Sequence, residues 1–335
     1  MRIIVPMAGM GKRMRPHTLT VPKPLIKLAG KPIVQRLCED LAAVCDEKID
    51  EIAFVVGRFG EAAENQLKEV AASLGAEGTI HYQDEALGTA HAILCAQSAL
   101  KGKVIIAFAD TLFKTDFHLD ENKDGIIWTQ KIDDPSQFGV VQLDDNGVIT
   151  DYFEKPEEFV SDLAMIGVYY IKDGENLHSE LQYLLDNNII KGGEYQLPDA
   201  FRNMTAKGLE LYPGTVDEWL DCGNKNATVY TNQRVLELKQ SEEKLVSDNA
   251  SIINSVVVQP CYIADGVQIT NSVVGPHVSI GKNTIVSNTI VTNSIIQENA
   301  ELTSTNVTNS MIGNAAKIIG SALDLSISDF STFNW

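Results

Sequence analysis

A short motif of asparagine, a small hydroxylated residue and two aliphatic residues recurs near the C-terminus at a fixed spacing. Copies 17 residues apart begin at Asn254, Asn271 and Asn288, and further copies begin at Asn293 and Asn309. Aliphatic residues recur every five or six positions between them, as in the short strands of a parallel β-helix, where about three hexapeptides complete one coil. The repeat predicts a solenoid of roughly four or five coils over residues 246–335. The alternative, a β-sandwich, would need strict alternation and hairpin turns.

The chain before this repeat alternates apolar runs with helical patterns. Strands are predicted at 2–6, 52–56, 80–82 and 104–108, and helices after Pro32, over 61–74 and after Gly88. Strands that alternate with helices in this way form right-handed crossovers and a mainly parallel sheet, whose ligands bind at the carboxyl ends of the strands. The sequence therefore predicts an α/β fold with a Rossmann-like mixed, mainly parallel sheet over residues 1–245.

Residues 125–220 are expected to form a mixed sheet, with strands of a different spacing, that covers the other side of a substrate cleft. Further strands are predicted at 125–129, 139–143 and 164–171, with a hairpin turn at 144–147 and a helix near 175–187. The Asp-Asp-Asn-Gly sequence of the turn is typical of a tight hairpin. A polar helical connector is predicted at 226–243, which places the domain boundary at residue 245.

The net charge and the cysteine spacing argue against several classes of protein. The chain carries 45 acidic and 27 basic residues, a net charge of −18, which argues against nucleic acid or an anionic membrane as its partner. Five cysteines lie apart with no C-x-x-C spacing, which argues against a disulfide framework and a zinc site. No window approaches 18 consecutive apolar residues and the start has no signal-peptide pattern, so we expect a cytoplasmic enzyme.

A glycine loop follows the first strand and precedes the first predicted helix. Gly9 and Gly11 let the backbone approach an anion closely, and Arg13, Arg15 and Lys23 add positive charge. The loop matches neither the G-x-G-x-x-G fingerprint nor the G-x-x-x-x-G-K-[ST] loop, so neither a dinucleotide site nor a P-loop is predicted. It predicts a site for a polyphosphate.

This loop resembles that of the sugar-nucleotide pyrophosphorylases, nucleotidylyltransferases that join a sugar 1-phosphate to a nucleoside triphosphate. The resemblance rests on Gly9, Gly11, Arg13 and Pro16, and on the Pro-Lys-Pro-Leu sequence at 22–25. Lys12 stands where the family usually has Thr or Ser. The resemblance implies that residues 1–245 are the nucleotidyltransferase domain and that residues 246–335 are a left-handed β-helix.

The resemblance also implies which residues carry the chemistry. Asp110, after the fourth strand, and Asp221, within Trp-Leu-Asp-Cys-Gly, resemble the family's metal-binding aspartates. Carboxylates of this kind hold Mg²⁺ while water and phosphate complete its shell, so Mg²⁺ is the implied cofactor. Lys23 resembles the lysine at the reaction centre, and Lys155, within Glu-Lys-Pro, resembles the lysine that binds the sugar phosphate. Together with Arg13 they form the implied catalytic set.

The implied nucleotide site combines the glycine loop with a second motif at 82–90. Gln83 resembles the glutamine that reads a nucleobase edge, and Gly88 resembles the glycine beside the base. A glutamine amide can donate and accept at once, which suits the adjacent oxygen and N–H of a pyrimidine. The implied nucleotide-binding residues are Ala8, Gly9, Gly11, Lys12, Arg13, Gln83, Gly88, Thr89 and Asp110.

The implied sugar site follows the hairpin at 144–147. Met165 stands where the N-acetylglucosamine and mannose enzymes usually place Asn, which favours an unsubstituted hexose such as glucose. The implied sugar-binding residues are Gly139, Glu154, Lys155, Met165, Tyr169 and Glu194.

The sequence therefore predicts a homo-oligomeric nucleotidyltransferase that takes a nucleoside triphosphate and a sugar 1-phosphate, best dTTP or UTP with glucose 1-phosphate. A mannose- or heptose-1-phosphate guanylyltransferase is an alternative, because the motifs at 19–25 and 87–90 resemble those enzymes equally. A second alternative is a bifunctional enzyme with acyltransferase activity in the β-helix, where His277 is the one histidine. A third is a regulatory homologue without catalysis.

Overall fold

The computed structural model describes residues 1–136, 138–156 and 158–320, and it divides into two compact units. The first unit comprises Met1–Lys27 and Lys31–Thr228, and the second comprises Leu28–Gly30 and the residues from Val229 onward. The boundary at residue 245 stays a prediction, and residues 229–245 belong to the second unit in this division. The last part of the predicted solenoid, residues 321–335, lies outside the described residues.

The strands predicted in the first part of the chain are found close to their predicted positions, and this part also forms further strands that were not predicted. In chain order they are β1 (Arg2–Pro6), β2 (Lys27–Leu28), β3 (Lys31–Pro32), β4 (Glu51–Val56), β5 (Glu77–Tyr82), β6 (Val104–Ala107), β7 (Thr111–Lys114), β8 (Gly125–Lys131), β9 (Gly139–Leu143), β10 (Ile149–Glu154), β11 (Leu163–Ile171), β12 (Leu211–Thr215) and β13 (Glu218–Asp221).

One mixed sheet runs through the first unit. Its order is β10-β9-β11-β6-β1-β4-β5, and β8 pairs with both β11 and β12. The segment β6-β1-β4-β5 is parallel, whereas β11 runs antiparallel to β6. The predicted α/β fold class is therefore confirmed. Because β1 and β6 are parallel neighbours, the loops that follow them leave the sheet at the same edge.

The described part of the chain contains six α-helices. They are α1 (Ile33–Val44), α2 (Glu61–Ser73), α3 (Thr89–Leu94), α4 (Gly174–Asp186), α5 (Leu197–Ala206) and α6 (Lys225–Lys239). In α1 the apolar residues Ile33, Leu37 and Leu41 recur at helical spacing and are fully buried. The start of α4 is capped, because the Asp173 carboxylate accepts a hydrogen bond from the Asn176 backbone N–H.

The core of the first unit lies on both faces of its sheet. Ile3, Ile4 and Val5 on the central strand β1 are fully buried, and so is Phe54 on β4. A strand buried on both faces reads as a continuous apolar run, which is why β1 and β4 could be predicted without alternation. This rigid centre holds the loops at the carboxyl edge in place.

The second unit is built from short parallel strands. They are β14 (Ser251–Ile253), β15 (Val256–Val257), β16 (Cys261–Ile263), β17 (Gln268–Thr270), β18 (Val273–Val274), β19 (Val278–Ile280), β20 (Ile285–Ser287), β21 (Ile290–Thr292), β22 (Ser294–Ile296), β23 (Glu301–Thr303), β24 (Asn306–Thr308), β25 (Met311–Ile312) and β26 (Lys317–Ile319). They stack as three parallel sheets, β14-β17-β20-β23-β26, β15-β18-β21-β24 and β16-β19-β22-β25. This arrangement confirms the predicted parallel β-helix.

The repeated asparagines occupy one corner of successive coils. Asn254, Asn271 and Asn288 have φ values of 47°, 50° and 49°, a left-handed conformation that asparagine tolerates better than most residues. The Asn254 amide donates to Asn271 Oδ1 at 2.7 Å, and the Asn271 amide donates to Asn288 Oδ1 at 3.3 Å. The 17-residue motif therefore marks a turn stabilised by stacked side-chain amides.

Within the described ranges, no helix has both the length and the apolar character needed to span a bilayer.

Candidate active site

A cavity of about 550 Å³ lies in the first unit at the carboxyl ends of β1, β5 and β6. This volume is in the range of small-molecule sites. The predicted site residues that line it are Ala8, Gly9, Gly11, Lys12, Arg13, Lys23, Gln83, Gly88, Thr89, Asp110 and Glu194. The fold thus brings Ala8 and Glu194, which are 186 positions apart in the chain, to the same cavity.

The glycine loop forms one wall of this cavity. A methyl group on Gly9 would meet no atom within 4 Å, so the protein's own packing does not require glycine there. Gly11 has φ +56°, and a methyl group on it would lie 3.1 Å from both Lys23 Cβ and Thr18 Cγ2. Gly11 therefore keeps the loop against Lys23, whereas Gly9 leaves open space beside the backbone. Arg15 is exposed and does not line the cavity.

Lys23 and Asp110 form an ion pair at the edge of the cavity. The Lys23 Nζ lies 2.8 Å from Asp110 Oδ2. The Lys23 side chain is nearly buried while that of Asp110 remains partly open to solvent. Because a nearly buried ammonium is costly without a partner, Asp110 fixes the position of the lysine. Lys23 thus presents its charge at the cavity and not to the solvent.

Strand pairing brings Asp221 next to Asp110. Asp221 ends β13 opposite Thr111 on β7, and the Cys222 N–H donates to the Asp110 carbonyl at 2.9 Å. Burial, and then the charge of Asp110, raise the pKa of the Asp221 carboxyl, while Lys23 acts in the opposite direction. The Asp221 Oδ1 accepts a hydrogen bond from Gly223 N–H at 2.9 Å. The two carboxyls therefore interact, although they lie 111 residues apart in the chain.

This pair of carboxyls fits a hard divalent cation. A third protein ligand is not offered, since the described residues contain no cluster of three or more metal-ligating side chains. Mg²⁺ in nucleotide sites is commonly held by one or two carboxylates, with phosphate and water supplying the remaining oxygens. The charge of Asp110 raises the pKa of Asp221, and a cation bound between the two carboxyls would relieve the same repulsion.

The predicted base reader Gln83 follows β5 directly. Its Nε2 lies 3.2 Å from the Gly88 carbonyl oxygen and 3.2 Å from His91 Nδ1. The Thr89 hydroxyl oxygen accepts a hydrogen bond from the Leu197 N–H at 2.9 Å, so it caps the start of α5. Sequence reasoning missed His91, and no sequence pattern singles it out, because its contact depends on how α3 approaches the end of β5.

Four of the predicted sugar residues lie together beside the cavity. A methyl group on Gly139 would come within 2.6 Å of Met165 Cε and 3.0 Å of Glu154 Oε2. Burial, and in smaller part the charge of Glu194, raise the pKa of Glu154, while Lys155 acts against this shift. Gly139, Met165 and Glu154 are therefore close neighbours, and Glu194, which lines the cavity, is near enough to Glu154 for their charges to interact.

The two remaining sugar residues differ in their placement. Tyr169 is buried, and its ring meets the cavity-lining Phe108 edge-on with the centroids 6.4 Å apart. The Lys155 side chain is 62% exposed, lies 3.9 Å from Glu154 Oε1 and does not line the cavity. Lys155 also has φ +45°, a conformation rare for a residue with a side chain. Its predicted role requires the side chain to reach a ligand outside the present cavity wall.

Comparison with known proteins places the chain in a family. The family model described as nucleotidyl transferase matches residues 3–237. The chain belongs to this family. This nucleotidyltransferase is 30% identical over 270 residues to mannose-1-phosphate guanylyltransferase catalytic subunit beta of Drosophila melanogaster, covering 77% of the chain and 69% of that protein.

Two further comparisons extend this result. Glucose-1-phosphate thymidylyltransferase of Streptomyces antibioticus is 27% identical over 326 residues, which cover 90% of the nucleotidyltransferase and 89% of the relative. A crystal structure of UDP-glucose pyrophosphorylase complexed with UDP-glucose matches with a TM-score of 0.58 at 22% identity, covering 71% of this chain and 98% of that one. At 22% identity, this structural similarity supports a shared fold and nothing further.

Proposed function

We propose that this nucleotidyltransferase transfers a nucleotidyl group from a nucleoside triphosphate to a sugar 1-phosphate, releasing pyrophosphate. The observation that carries the proposal is the meeting of Lys23, Asp110 and Asp221 at one end of a cavity whose wall is a glycine loop. A cation site, a fixed ammonium and exposed loop backbone are what polyphosphate chemistry needs. A regulatory homologue without catalysis would have no chemical need for this set.

In the proposed reaction an oxygen of the sugar phosphate attacks the α-phosphorus of the triphosphate in line. The bond from that phosphorus to the β-phosphate oxygen breaks, and pyrophosphate leaves with the electron pair. No protein nucleophile is required, so catalysis rests on positioning and on charge stabilisation. Mg²⁺ held by Asp110 and Asp221 would supply charge stabilisation at the phosphate oxygens.

The chain's own groups divide the remaining work. The backbone of residues 8–13 and the Arg13 guanidinium would bind the triphosphate. Lys23, held by Asp110, would offset charge where the two anions meet. Lys155 would bind the sugar phosphate, and Glu154 with Glu194 would accept hydrogen bonds from sugar hydroxyls.

For the substrates we propose dTTP or UTP with glucose 1-phosphate. The thymidylyltransferase relative supports this choice because the match covers nearly the whole of both chains. The position of Met165 against Gly139 also supports a plain hexose, since an apolar side chain there offers no donor to an N-acetyl group. Mannose-1-phosphate guanylyltransferase is the second candidate, favoured by the Drosophila relative.

A product screen tests the proposal. The enzyme with Mg²⁺ is incubated with each nucleoside triphosphate and each sugar 1-phosphate in pairs, and the products are identified by mass spectrometry. We expect a nucleoside diphosphate sugar and one pyrophosphate per turnover. If no pair gives such a product while each triphosphate still binds, the catalytic proposal is wrong. The protein is then a regulatory homologue that binds nucleotides without catalysis.

We also propose that the protein is a cytoplasmic homo-oligomer. Nucleoside triphosphates are made and used in the cytoplasm, and all five cysteines are free, as in reducing compartments. For assembly, Val256, Val273 and Ile290 stack in register on one face of the β-helix and are 58%, 38% and 48% exposed. The proposal is that copies of the chain associate through this contiguous aliphatic stripe, because association would remove its exposed apolar side chains from water.

A further inference from the structure

We propose that His91 is a positioning residue that makes Gln83 a hydrogen-bond acceptor toward the nucleobase. The inference deepens the proposed function, because it rests on Gln83 being the residue that meets the base. It states which hydrogen-bond pattern the site reads. That pattern is a base edge with an N–H donor.

The orientation of the Gln83 amide follows from its first neighbour. The Gly88 carbonyl oxygen lies 3.2 Å from Gln83 Nε2 and can only accept a hydrogen bond. Rotating the amide by 180° would place Oε1 against that oxygen, and two acceptors would then face each other. The amide nitrogen therefore faces Gly88, and one of its two N–H groups is used there.

The second N–H group is used by His91. His91 Nδ1 lies 3.2 Å from the same Gln83 nitrogen, and an amide nitrogen does not accept hydrogen bonds. Nδ1 must therefore be the unprotonated, accepting nitrogen, and the proton of the neutral ring is on Nε2. His91 and Gly88 together use both donors of Gln83. The contact with Gly88 alone would let the amide turn about that single hydrogen bond, so the second hydrogen bond, to His91, is what holds Oε1 in one direction.

The group of Gln83 that remains for a ligand is the Oε1 acceptor. Gln83 lines the cavity, so this oxygen is available to a bound base. It matches the N3–H of thymine or uracil and the N1–H of guanine, and it opposes the ring acceptors N1 of adenine and N3 of cytosine. The structure thus refines the expectation that Gln83 both donates to and accepts from the base.

The experiment measures equilibrium binding by calorimetry without sugar phosphate. The full-length protein with Mg²⁺ is titrated with dTTP and N3-methyl-dTTP, and with GTP and N1-methyl-GTP, where methylation removes the donor. For whichever of dTTP and GTP binds more tightly, we expect the methylated form to bind the wild-type protein about tenfold more weakly than the unmethylated form. His91→Phe keeps an aromatic ring at this position but has no hydrogen-bond acceptor. It should reduce the ratio of the two affinities, unmethylated over methylated, to about threefold or less.

Two comparison variants separate positioning from packing. His91→Asn has an amide oxygen that can take the place of Nδ1, so it should retain most of the ratio. His81→Phe, at a histidine that contacts Thr79 and not Gln83, should leave the ratio unchanged. If His91→Phe keeps the full ratio, or if wild-type protein binds the methylated nucleotide equally well, the inference is wrong.

A measurement on the wild-type protein covers the case in which His91→Phe does not fold. The ¹⁵N chemical shifts of His91 should show an unprotonated Nδ1 and a protonated Nε2, and the opposite tautomer overturns the inference. Failure of the proposed base is a separate outcome. If GTP binds more tightly than dTTP, that base assignment is wrong while the methylation ratio still tests His91.

Discussion

Gly88 lies against the backbone of Tyr195, so that a methyl group on its α-carbon would come within 2.4 Å of the Tyr195 carbonyl oxygen. The two segments are also hydrogen-bonded, because the Tyr195 N–H donates to Leu87 O at 2.8 Å and the Ala90 N–H donates to Tyr195 O at 3.0 Å. The segment with the proposed base reader and the segment with Glu194 therefore form one structural element. Glycine is required at position 88 by this contact.

We therefore expect Gly88→Ala to damage both proposed subsites at once. Its side chain would collide with backbone atoms, and φ +115° is strained for any residue with a side chain. The matched control is Gly60→Ala, where φ is +91° but a methyl group would meet nothing within 4 Å. Denaturant unfolding should show Gly88→Ala to be less stable than Gly60→Ala by about 1–3 kcal/mol.

Steady-state kinetics provide the second measurement on these variants. Gly88→Ala should raise KM for both the nucleotide and the sugar phosphate, while Gly60→Ala should leave both near wild type. If Gly88→Ala is as stable and as active as Gly60→Ala, the two segments are not joined in the way described.

The carboxyl pair is tested by isosteric neutralisation. Asp110→Asn and Asp221→Asn each remove a charge from the proposed cation site, so kcat at limiting Mg²⁺ should fall by about a hundredfold or more. Asp221→Asn should change thermal unfolding little, whereas Asp110→Asn should lower the melting temperature, because the nearly buried Lys23 loses its ion-pair partner. Both variants should still be folded at the assay temperature. Asp116→Asn, at an exposed aspartate beyond β7, is the control and should keep full activity. Turnover within about threefold of wild type in both site variants contradicts the metal assignment.

The raised pKa of Asp221 gives a pH-dependent prediction. Since Asp110 is a cause of the shift, Asp110→Asn should lower the Asp221 pKa, while burial should keep it above the ordinary aspartate value. A raised folded-state pKa favours the folded protein below the unfolded pKa, and this contribution is lost as the pH rises through the folded pKa. Carboxyl ¹³C titration by NMR measures both pKa values. An unchanged or higher Asp221 pKa in the variant would show that the two carboxyls do not interact.

The aliphatic stripe on the β-helix predicts how assembly can be broken. Val273→Lys combined with Ile290→Lys places charge at the centre of the stripe, so light scattering should show a smaller particle than wild type. Ile285→Lys is the control, because Ile285 is 40% exposed but lies on a different sheet of the same unit. A wild-type mass in the double variant, or a wild-type protein that is already monomeric, would exclude this surface as the interface.

Much of the fold could be predicted because its signals are local. The buried runs of β1 and β4 and the 17-residue repeat each follow from the period of apolar residues. Helix α5 was not predicted, although Leu197, Phe201 and Met204 are buried at helical spacing, because ten residues give the apolar period little length over which to appear. Strand β13 is too short for periodicity to reveal.

The site could be predicted as a set of residues but not as a set of contacts. Motifs pointed to Lys23, Asp110 and Gln83, and all three line one cavity. Sequence could not give the Lys23–Asp110 ion pair or the use of the Gln83 amide by His91, because both depend on side chains that meet across separate elements. Nor could it show that Lys155 is exposed, since that depends on the conformation of the chain after β10.

The proposed reaction is tested by measuring pyrophosphate release with a coupled assay on the wild-type protein with Mg²⁺. With glucose 1-phosphate, dTTP or UTP should give a kcat/KM at least about tenfold higher than GTP, because a mismatched base edge leaves polar groups unpaired. Release should require the sugar phosphate and should be lost in Asp110→Asn. A higher kcat/KM for GTP with mannose 1-phosphate would contradict the substrate assignment. Pyrophosphate release that does not depend on any sugar 1-phosphate would contradict the proposed reaction itself.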